Sequence, residues 1–451
     1  MSVESVHAHI DTMREQDLET LKELVRIPSV ANRGDSTGVH KCAQRLKELF
    51  ESLGFEARIM PTATEPMVFA QMRSKNPDAK TILFYGHYDV QPAEPLDEWL
   101  TEPFEPVVKD GRLYGRGTAD NKGQFLAHIH ALRSYLAVHG DIPIHAKFVL
   151  DGEEETGSPS MEKYVRDNLE LLTADLVYFT DGPSEYSGAT TVVHGFRGMF
   201  SFEINLRTAT HANHSGRAGG QIPNAAIELS RLMSTMIDET NHITVEGIYD
   251  DVVPPTDFEW ELIRAMPYEP EKLAKVYGVK EIKLTKEEFY QQQMFLPTFT
   301  LNGVKSGYLG KGRKTAVPEL ATVKVDMRLC NNMDPEDVER KIRRHIEKHC
   351  PRAELTPFAK QLPSKTPVDL PVCKAVLEVV KQHFPGSYAI PSSGATCPDY
   401  VWTKILKAPA LSVPYGNSDQ TNHAANENLA LHCYYRGIHC SADVIDAVSK
   451  L

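Results

Sequence analysis

The chain has 451 residues, of which 41% are hydrophobic and 24% are charged, the balance of a globular protein with a full core. Its formal net charge of −12 excludes a general binder of nucleic acids or acidic membranes, because either needs a positive surface. The seven cysteines contain no CxxC pair, which argues against a disulfide framework and a thiolate zinc site.

The N-terminal 25 residues mix charges throughout and lack the apolar segment of a signal peptide. No stretch of the sequence approaches the roughly 18 apolar residues of a membrane-spanning helix. Together with the cysteine content, these features predict a cytoplasmic protein without a membrane partner.

The first part of the chain alternates helices with short apolar strands. Residues 18–27 and 42–55 have helical spacing, and Gly54 stands where a C-terminal cap belongs. Further along, the predicted strands are 82–85, 146–150 and 176–179, and the predicted helices are 123–136 and 161–172. Buried strands separated by helices predict an α/β domain whose mostly parallel sheet is covered on both faces.

From about residue 197 the pattern changes to strict alternation of apolar and polar residues. Residues 200–207 and 322–329 alternate in this way, which predicts antiparallel strands with one wet face. Helices are predicted at 224–238 and 334–349, the second with Asp334 as N-cap. After residue 366 the α/β alternation resumes. We therefore predict a large domain of residues 1–196 plus 363–451, interrupted by a smaller α+β domain, 197–362.

Acidic and histidine residues follow the predicted strands of the large domain, where open α/β sheets bind ligands. They are His87, Asp89, Asp151, Glu153, Glu154, Glu155, Asp181, Asp419, His423 and Glu427, with Asp120 directly before a helix. Singly, such residues are usually caps or turn residues. Together, these acids and histidines would converge with no Lys or Arg among them. Bringing several carboxylates together costs free energy unless cations neutralise their charge. Imidazole with carboxylate suits zinc or manganese, so the set predicts a metal site.

His87 and Asp89 lie two positions apart, so in an extended chain both side chains lie on the same face. A neighbouring carboxylate can hold a ligating imidazole in the required tautomer without binding the metal itself. We expect His87 to bind metal and Asp89 to orient it.

The sequence resembles the two-metal peptidases and deacylases that include carnosinases, glutamate carboxypeptidase and succinyl-diaminopimelate desuccinylase, over essentially its whole length. The resemblance is carried by GHYDVQP (86–92), GRLYGRGTADNKG (111–123), DGEEETGS (151–158), TDG (180–182), HSGRAGG (214–220) and HAANE (423–427). GHYDVQP is most similar to the branch of carnosinases and cytosolic dipeptidases.

The resemblance implies two divalent cations per subunit, zinc in the first place and manganese or cobalt as alternatives. The implied ligands are Asp120 as the bridge, His87 and Asp181 for one ion, and Glu155 and His423 for the other. Glu154 would be the general base, and the peptide bond after Asp120 would be cis. Many relatives have Asp where this chain has Asn121, a change that the resemblance tolerates because this residue is not a usual ligand.

The resemblance also assigns roles in the inserted domain, which would act as lid and dimerisation domain of a homodimer. His214 would stabilise the oxyanion, reaching into the partner's site, and Arg328 would grip the substrate carboxylate. Thr315 and Thr396 match weaker substrate contacts. Without this context, His214 and Arg328 would be interpreted as surface residues of a half-wet sheet.

Three functions follow from these features. The first is a dipeptidase or small-peptide exopeptidase; the second is an N-acyl-amino-acid deacylase with the same chemistry; the third is a binding protein without catalysis. Glu154 and all five ligand types are present, which favours catalysis. A phosphate-binding loop at 307–315 is disfavoured because Arg313 breaks the motif, and Cys397 has no histidine placed beside it as a nucleophile would need.

Overall fold

The structure is a computed structural model that describes residues 2–31 and 34–451. Its helices are α1 Val3–Thr12, α2 Arg14–Val25, α3 Thr37–Ser52, α4 Gly123–His139, α5 Met161–Asp167, α6 Leu169–Leu172, α7 Ser215–Ala218, α8 Ala225–Met236, α9 Asp257–Ala265, α10 Pro270–Tyr277, α11 Lys286–Phe295, α12 Pro335–His349, α13 Pro371–His383 and α14 Leu431–Ser449. Its strands are β1 Glu56–Met60, β2 Met67–Met72, β3 Thr81–His87, β4 Val107–Lys109, β5 Arg112–Tyr114, β6 His145–Asp151, β7 Leu176–Phe179, β8 Thr191–Val193, β9 Gly198–Arg207, β10 Asn213–His214, β11 Thr300–Ser306, β12 Ala316–Val317, β13 Leu320–Leu329, β14 Ala353–Gln361, β15 Tyr388–Ile390, β16 Ala410–Ser412 and β17 Asn428–Ala430.

The chain divides into two compact units. The first comprises the residues up to Gly195 together with Thr366–Pro391 and Val401–Leu451, and the second comprises Phe196–Lys365 and Ser392–Tyr400. The short segment Ser392–Tyr400 joins the second unit through backbone hydrogen bonds, because the amide of Arg197 donates to the carbonyls of Ser393 and Ala395.

The first unit is built on an eight-stranded sheet in the order β1-β2-β6-β3-β7-β16-β8-β15. The central pairs β6–β3, β3–β7 and β7–β16 are parallel, as is β8–β15. The pairs β1–β2, β2–β6 and β16–β8 are antiparallel, so β2, β8 and β15 run against the other five strands. The predicted α/β fold with a mostly parallel central sheet is thus confirmed.

Helix α4 is buried on nearly its whole circumference, because it packs on β3 and on helices α1 and α14. Phe84 of β3 stacks on His128 of this helix with ring centroids 4.7 Å apart. The helix ends at Gly140, whose φ of 62° is the left-handed conformation of a C-terminal cap. The helix predicted at 161–172 is interrupted, since Asn168 between α5 and α6 has a φ of −124°.

The second unit has a four-stranded antiparallel sheet in the order β11-β13-β9-β14. Alternate residues of β9 and β13 are buried, as the alternation in the sequence predicts, and they pack against α8 and α12. Asp334 caps α12 by accepting a hydrogen bond from the amide of Glu336 at 2.9 Å, and Pro335 occupies the first helical position.

The parallel strands of the first unit end at a common edge. His87, the last residue of β3, lies opposite Asp151, the last residue of β6, and the neighbouring strand β7 ends two residues before Asp181. In the described ranges, every helix is too short or too polar to cross a membrane.

Candidate metal centre

His87 is held at the end of β3 by its neighbour Asp89. Its Nδ1 lies 3.1 Å from the backbone oxygen of Asp89 and 3.4 Å from the carboxylate oxygen Oδ1. The Asp89 carboxylate also accepts hydrogen bonds from the amides of Glu154 and Glu155, at 3.1 and 3.0 Å. One buried carboxylate therefore fixes both the imidazole and the turn that carries two glutamates.

Asp120 lies in a short helical turn, Thr118–Lys122, that precedes α4. The peptide bond between Asp120 and Asn121 is cis, as the resemblance implied. Only glycine fits where β3 approaches this turn, since a Cβ at Gly86 would lie 2.8 Å from Cβ of Phe125 and 2.9 Å from Oδ1 of Asn121.

The two carboxylate oxygens of Asp120 contact two different histidines. Oδ1 lies 3.0 Å from Nε2 of His87, and Oδ2 lies 3.2 Å from Nε2 of His423. Asp181 Oδ2 is 3.6 Å from the first imidazole, and Glu155 Oε2 is 3.2 Å from the second. Asp120 thus stands between two groups of donors.

Among the described residues, two groups of three have ligand atoms that all lie within 4.8 Å of one another. They are His87, Asp120 and Asp181, and Asp120, Glu155 and His423. Glu154 belongs to neither group, although its Oε2 lies 4.0 Å from Nε2 of His87. The geometry separates Glu154 from the candidate ligands and leaves its carboxylate beside them.

The charges of the site are not balanced by the protein alone. Burial raises the pKa of Glu154 to about 8, and the nearby carboxylates of Asp181 and Asp89 add to the shift against the opposing effect of His87. Burial likewise raises the pKa of Asp89 and of Asp181. Hydrogen bonds with Asp120 and Glu155 raise the pKa of His423 to about 10.

These residues fit two divalent cations. The buried Nε2 of His87 faces carboxylate oxygens of Asp120 at 3.0 Å and Asp181 at 3.6 Å, and a metal ion among these three atoms would accept the lone pair of a neutral imidazole. Imidazole and carboxylate donors suit zinc, manganese or cobalt, and positive ions would relieve the repulsion among the buried carboxylates.

The expectation that no cationic side chain accompanies the acids is wrong for two of them. Asp419 forms a two-point ion pair with Arg112, with both N–O distances at 2.8 Å, and Glu427 pairs with Arg116 at 2.9 Å. Both arginines come from the segment that precedes Asp120. Neutralised in this way, Asp419 and Glu427 are not left for cations, and both lie outside the two donor groups.

Asp151 and Glu153 also lie outside the donor groups. Asp151 accepts hydrogen bonds from the amide of Glu153 at 3.0 Å and from Oγ of Ser158 at 2.7 Å. Glu153 accepts from the amide of Ser160 at 2.6 Å. Both carboxylates are therefore used to shape the loop after β6.

Two polar residues that sequence reasoning did not assign contact the candidate ligands. Gln91 donates from Nε2 to Oε2 of Glu155 at 2.9 Å. Asn121 donates from Nδ2 to the carbonyl of Thr180 at 2.6 Å, while its Oδ1 accepts from the amide of His87 at 3.4 Å. Both residues lie inside motifs of the resemblance, which was the available signal. An Asp at position 121 would lack the amide donor.

The candidate substrate-binding residues of the second unit form two pairs, and the two residues within each pair lie close to each other. His214 of β10 lies opposite Ala316 of β12, next to Thr315, whose carbonyl accepts from the amide of Ser215 at 3.0 Å. Arg328 of β13 donates from Nη1 to Oγ1 of Thr396 at 2.5 Å. His214 and Thr315 are exposed, and Arg328 and Thr396 are half-buried.

A mostly parallel sheet whose strand ends gather two carboxylate–imidazole groups around one shared aspartate defines a class, the metal-dependent hydrolases. The comparison with known families agrees with this class. The model of peptidase family M20/M25/M40 matches residues 83–447, and the chain belongs to this family. The family resemblance inferred from the sequence motifs is thereby confirmed.

Relatives match over nearly their full length. The chain is 28% identical to the Beta-Ala-His dipeptidase of Mus musculus, over 99% of this chain and 96% of the relative. It is 28% identical to the Cys-Gly metallodipeptidase dug1 of Schizosaccharomyces pombe, over 97% and 96%. Among solved structures, the M20 family metallo-carboxypeptidase Sso-CP2 from Sulfolobus solfataricus is similar with a TM-score of 0.83 and 33% identity, covering 96% of this chain and 99% of that one.

Proposed function

We propose that this protein is a metal-dependent dipeptidase that hydrolyses the peptide bond of small peptides. The observation that carries the proposal is the position of Asp120, whose two carboxylate oxygens contact His87 and His423 separately. Full-length similarity to two proteins named dipeptidases supports this substrate class over N-acyl amino acids.

The proposed ligands are those of the two donor groups, with Asp120 shared between them. Bound divalent cations supply Lewis acidity for the scissile carbonyl and lower the pKa of an attacking water. We propose zinc as the resident ion, with manganese or cobalt as alternatives that the same donors accept.

Glu154 is the proposed general base. Its carboxylate lies outside both donor groups and its backbone amide is fixed by Asp89. The ionised carboxylate in this position can accept a proton from the attacking water, and the carboxyl group so formed can donate that proton to the leaving amine. Asp89 would act indirectly, by holding His87 and the Glu154 turn.

Arg328 is the proposed group that binds the C-terminal carboxylate of the peptide, assisted by Thr396 and, as a weaker contact, Thr315. A guanidinium matches the two oxygens of a carboxylate, and a hydrogen bond to a charged group contributes about 1.5–3 kcal/mol. We expect Arg328→Met to raise KM for a dipeptide by about 10- to 100-fold with a smaller change in kcat. Steady-state kinetics on the dipeptide and its C-terminal amide would measure this; equal KM values for the wild type on both substrates would contradict the role.

We also propose a homodimer formed through the domain at 197–362, in which His214 serves the site of the partner subunit as an oxyanion donor. Exposure of His214 is consistent with such a role. Mixing His214→Ala with Glu154→Ala should then restore activity, because each hybrid dimer contains one intact site, to about one quarter of the wild-type value after subunit exchange. A fully active monomer in sedimentation velocity would contradict the dimer.

The test of the proposed function is a substrate panel. Dipeptides, tripeptides with a free C-terminus, and N-acetyl and N-succinyl amino acids are compared by kcat/KM. A dipeptidase prefers the first set. A preference for longer peptides would favour a carboxypeptidase, the second candidate, which is supported by similarity to a structure named as one. Cleavage of N-acyl amino acids alone would favour a deacylase.

We further propose a cytoplasmic location. Six of the cysteines are buried and form no disulfide bond. This is the state that a reducing compartment maintains. Fractionation of cells of the source organism would test it.

A further inference from the structure

The side chain of Glu427 binds the backbone of the turn that carries Asp120. Its side chain is fully buried, and its carboxylate accepts hydrogen bonds from the amides of Gly117 at 2.9 Å, Ala119 at 3.0 Å and Asp120 at 3.0 Å. The fourth donor is Nη1 of Arg116, also at 2.9 Å. A buried carboxylate with this many donors is well satisfied and holds the backbone around it.

Arg116 extends the same network to the loop of His423. Only 1% of Arg116 is exposed, and its Nη2 donates to the carbonyls of Pro92 at 3.0 Å and Ala424 at 3.2 Å. Its guanidinium also lies over the ring of Trp99, 5.3 Å from the centroid. Arg116, which pairs with Glu427, thus also binds the backbone of Ala424, the residue directly after His423.

The loop that carries His423 adopts an unfavourable backbone conformation. Thr421, His423 and Asn426 have φ values of 53°, 59° and 65°, in the left-handed region that residues with a Cβ rarely occupy. Such conformations persist where surrounding contacts determine them. The contacts here include Asn426, whose Oδ1 accepts from the amide of Leu100 at 2.7 Å.

We propose that Arg116 and Glu427 are positioning residues that join the Asp120 turn to the His423 loop and form the second cation site before any ion binds. The proposal rests on the metal sites of the proposed function. In this arrangement Glu427 sets Asp120 through its backbone, and Arg116 sets His423 through Ala424. Neither side chain belongs to a donor group itself.

The first test measures metal binding with Co²⁺ as the probe. Apo-protein is titrated by calorimetry and by visible absorption, with two ions expected per wild-type chain. Arg116→Gln should lower the affinity for one of the two ions by about 10- to 100-fold, which is the effect of losing an outer contact of a metal ligand. The affinity for the other ion should stay within about threefold of the wild-type value. Unchanged affinity for both ions in a folded Arg116→Gln protein would overturn the proposal.

Arg112→Gln is the matched control. Arg112 forms its two-point ion pair with Asp419 and also donates to Oδ1 of Asn428, so it ties down the same loop by a different route. It has no contact with Glu427 or Ala424 among those described. Both Co²⁺ affinities should therefore remain at wild-type values, and a loss equal to that of Arg116→Gln would also overturn the proposal.

A second measurement needs no substitution and decides the matter if Arg116→Gln does not fold. Hydrogen exchange of chelator-stripped wild-type protein is followed by mass spectrometry in peptides that cover residues 115–122. We expect the amides bound to Glu427 to be protected with and without Co²⁺. Protection that arises only after Co²⁺ is added would mean that the ion orders the turn, contrary to the proposal.

The outcomes separate this inference from the proposed function. A wild-type chain that binds no Co²⁺ and is indifferent to chelators would remove the metal sites and the inference together. A wild type that binds two ions, with Arg116→Gln unchanged, would leave the proposed function intact and reject the positioning role alone.

Discussion

Replacing Glu154 by Gln is expected to lower kcat by about 10²- to 10⁴-fold, the contribution of a positioned general base. The carboxylate lies 4.0 Å from Nε2 of His87 and belongs to neither donor group, so the substitution removes proton transfer and leaves the ligands in place. Gln keeps the size of the side chain and the backbone hydrogen bond from Glu154 to Asp89. Steady-state kinetics and metal analysis on the same sample would measure both effects.

Glu155→Gln is the matched control, because the two residues are adjacent and the backbone amides of both donate to the Asp89 carboxylate. Glu155 is a proposed ligand, so its loss should remove one ion from the purified protein along with activity. Wild-type turnover in Glu154→Gln would show that another group accepts the proton. Loss of an ion in Glu154→Gln would show that Glu154 is itself a ligand.

Replacing Asp120 by Asn is expected to weaken the binding of both metal ions together. Each carboxylate oxygen faces one donor group, and Asn offers a single carbonyl oxygen with no negative charge. We expect each affinity to fall by about 100-fold or more, since outer contacts of metal ligands alone contribute 10- to 100-fold. Elemental analysis after dialysis against a weak chelator would measure the ions that remain, and peptide hydrolysis should be lost in parallel.

Asp181→Asn and His423→Gln are the comparisons for this prediction. Each of these residues belongs to one donor group only, so each substitution should remove one bound ion and leave the other bound. A protein with Asn at position 120 that still holds two ions would contradict the bridging role of Asp120. Loss of both ions in Asp181→Asn would show that the two sites do not fill independently.

These two experiments also test the third function, a binding protein without catalysis. In such a protein, Asp120→Asn would abolish ligand binding. Glu154→Gln would have no effect on turnover, because a binding protein has none. A large fall in kcat in Glu154→Gln with both ions retained is the result that only an enzyme produces.

The sequence by itself determined the architecture of both units and the family. Apolar strands followed by His87 and by Asp181 predicted the common edge of the sheet, because the periodicity of apolar side chains is a local property of the chain. The alternation in β9 and β13 likewise predicted an antiparallel sheet with one buried face. The motifs around Asp120, Glu154 and His423 then led to the peptidase family that the comparison confirms.

Strand-end position alone did not distinguish the acids of the site, and only the tertiary structure shows the physical reason why some of them are not left for cations. By residue type and position, Asp419 and Glu427 were equivalent to Glu155, which the family resemblance alone singled out. Folding pairs these two acids with Arg112 and Arg116, residues more than 300 positions away. Charge neutralisation depends on distances of about 3–4 Å between groups whose separation along the chain carries no information on their contact. The position of a side chain in the sequence therefore identified the candidates, and three-dimensional pairing selected among them.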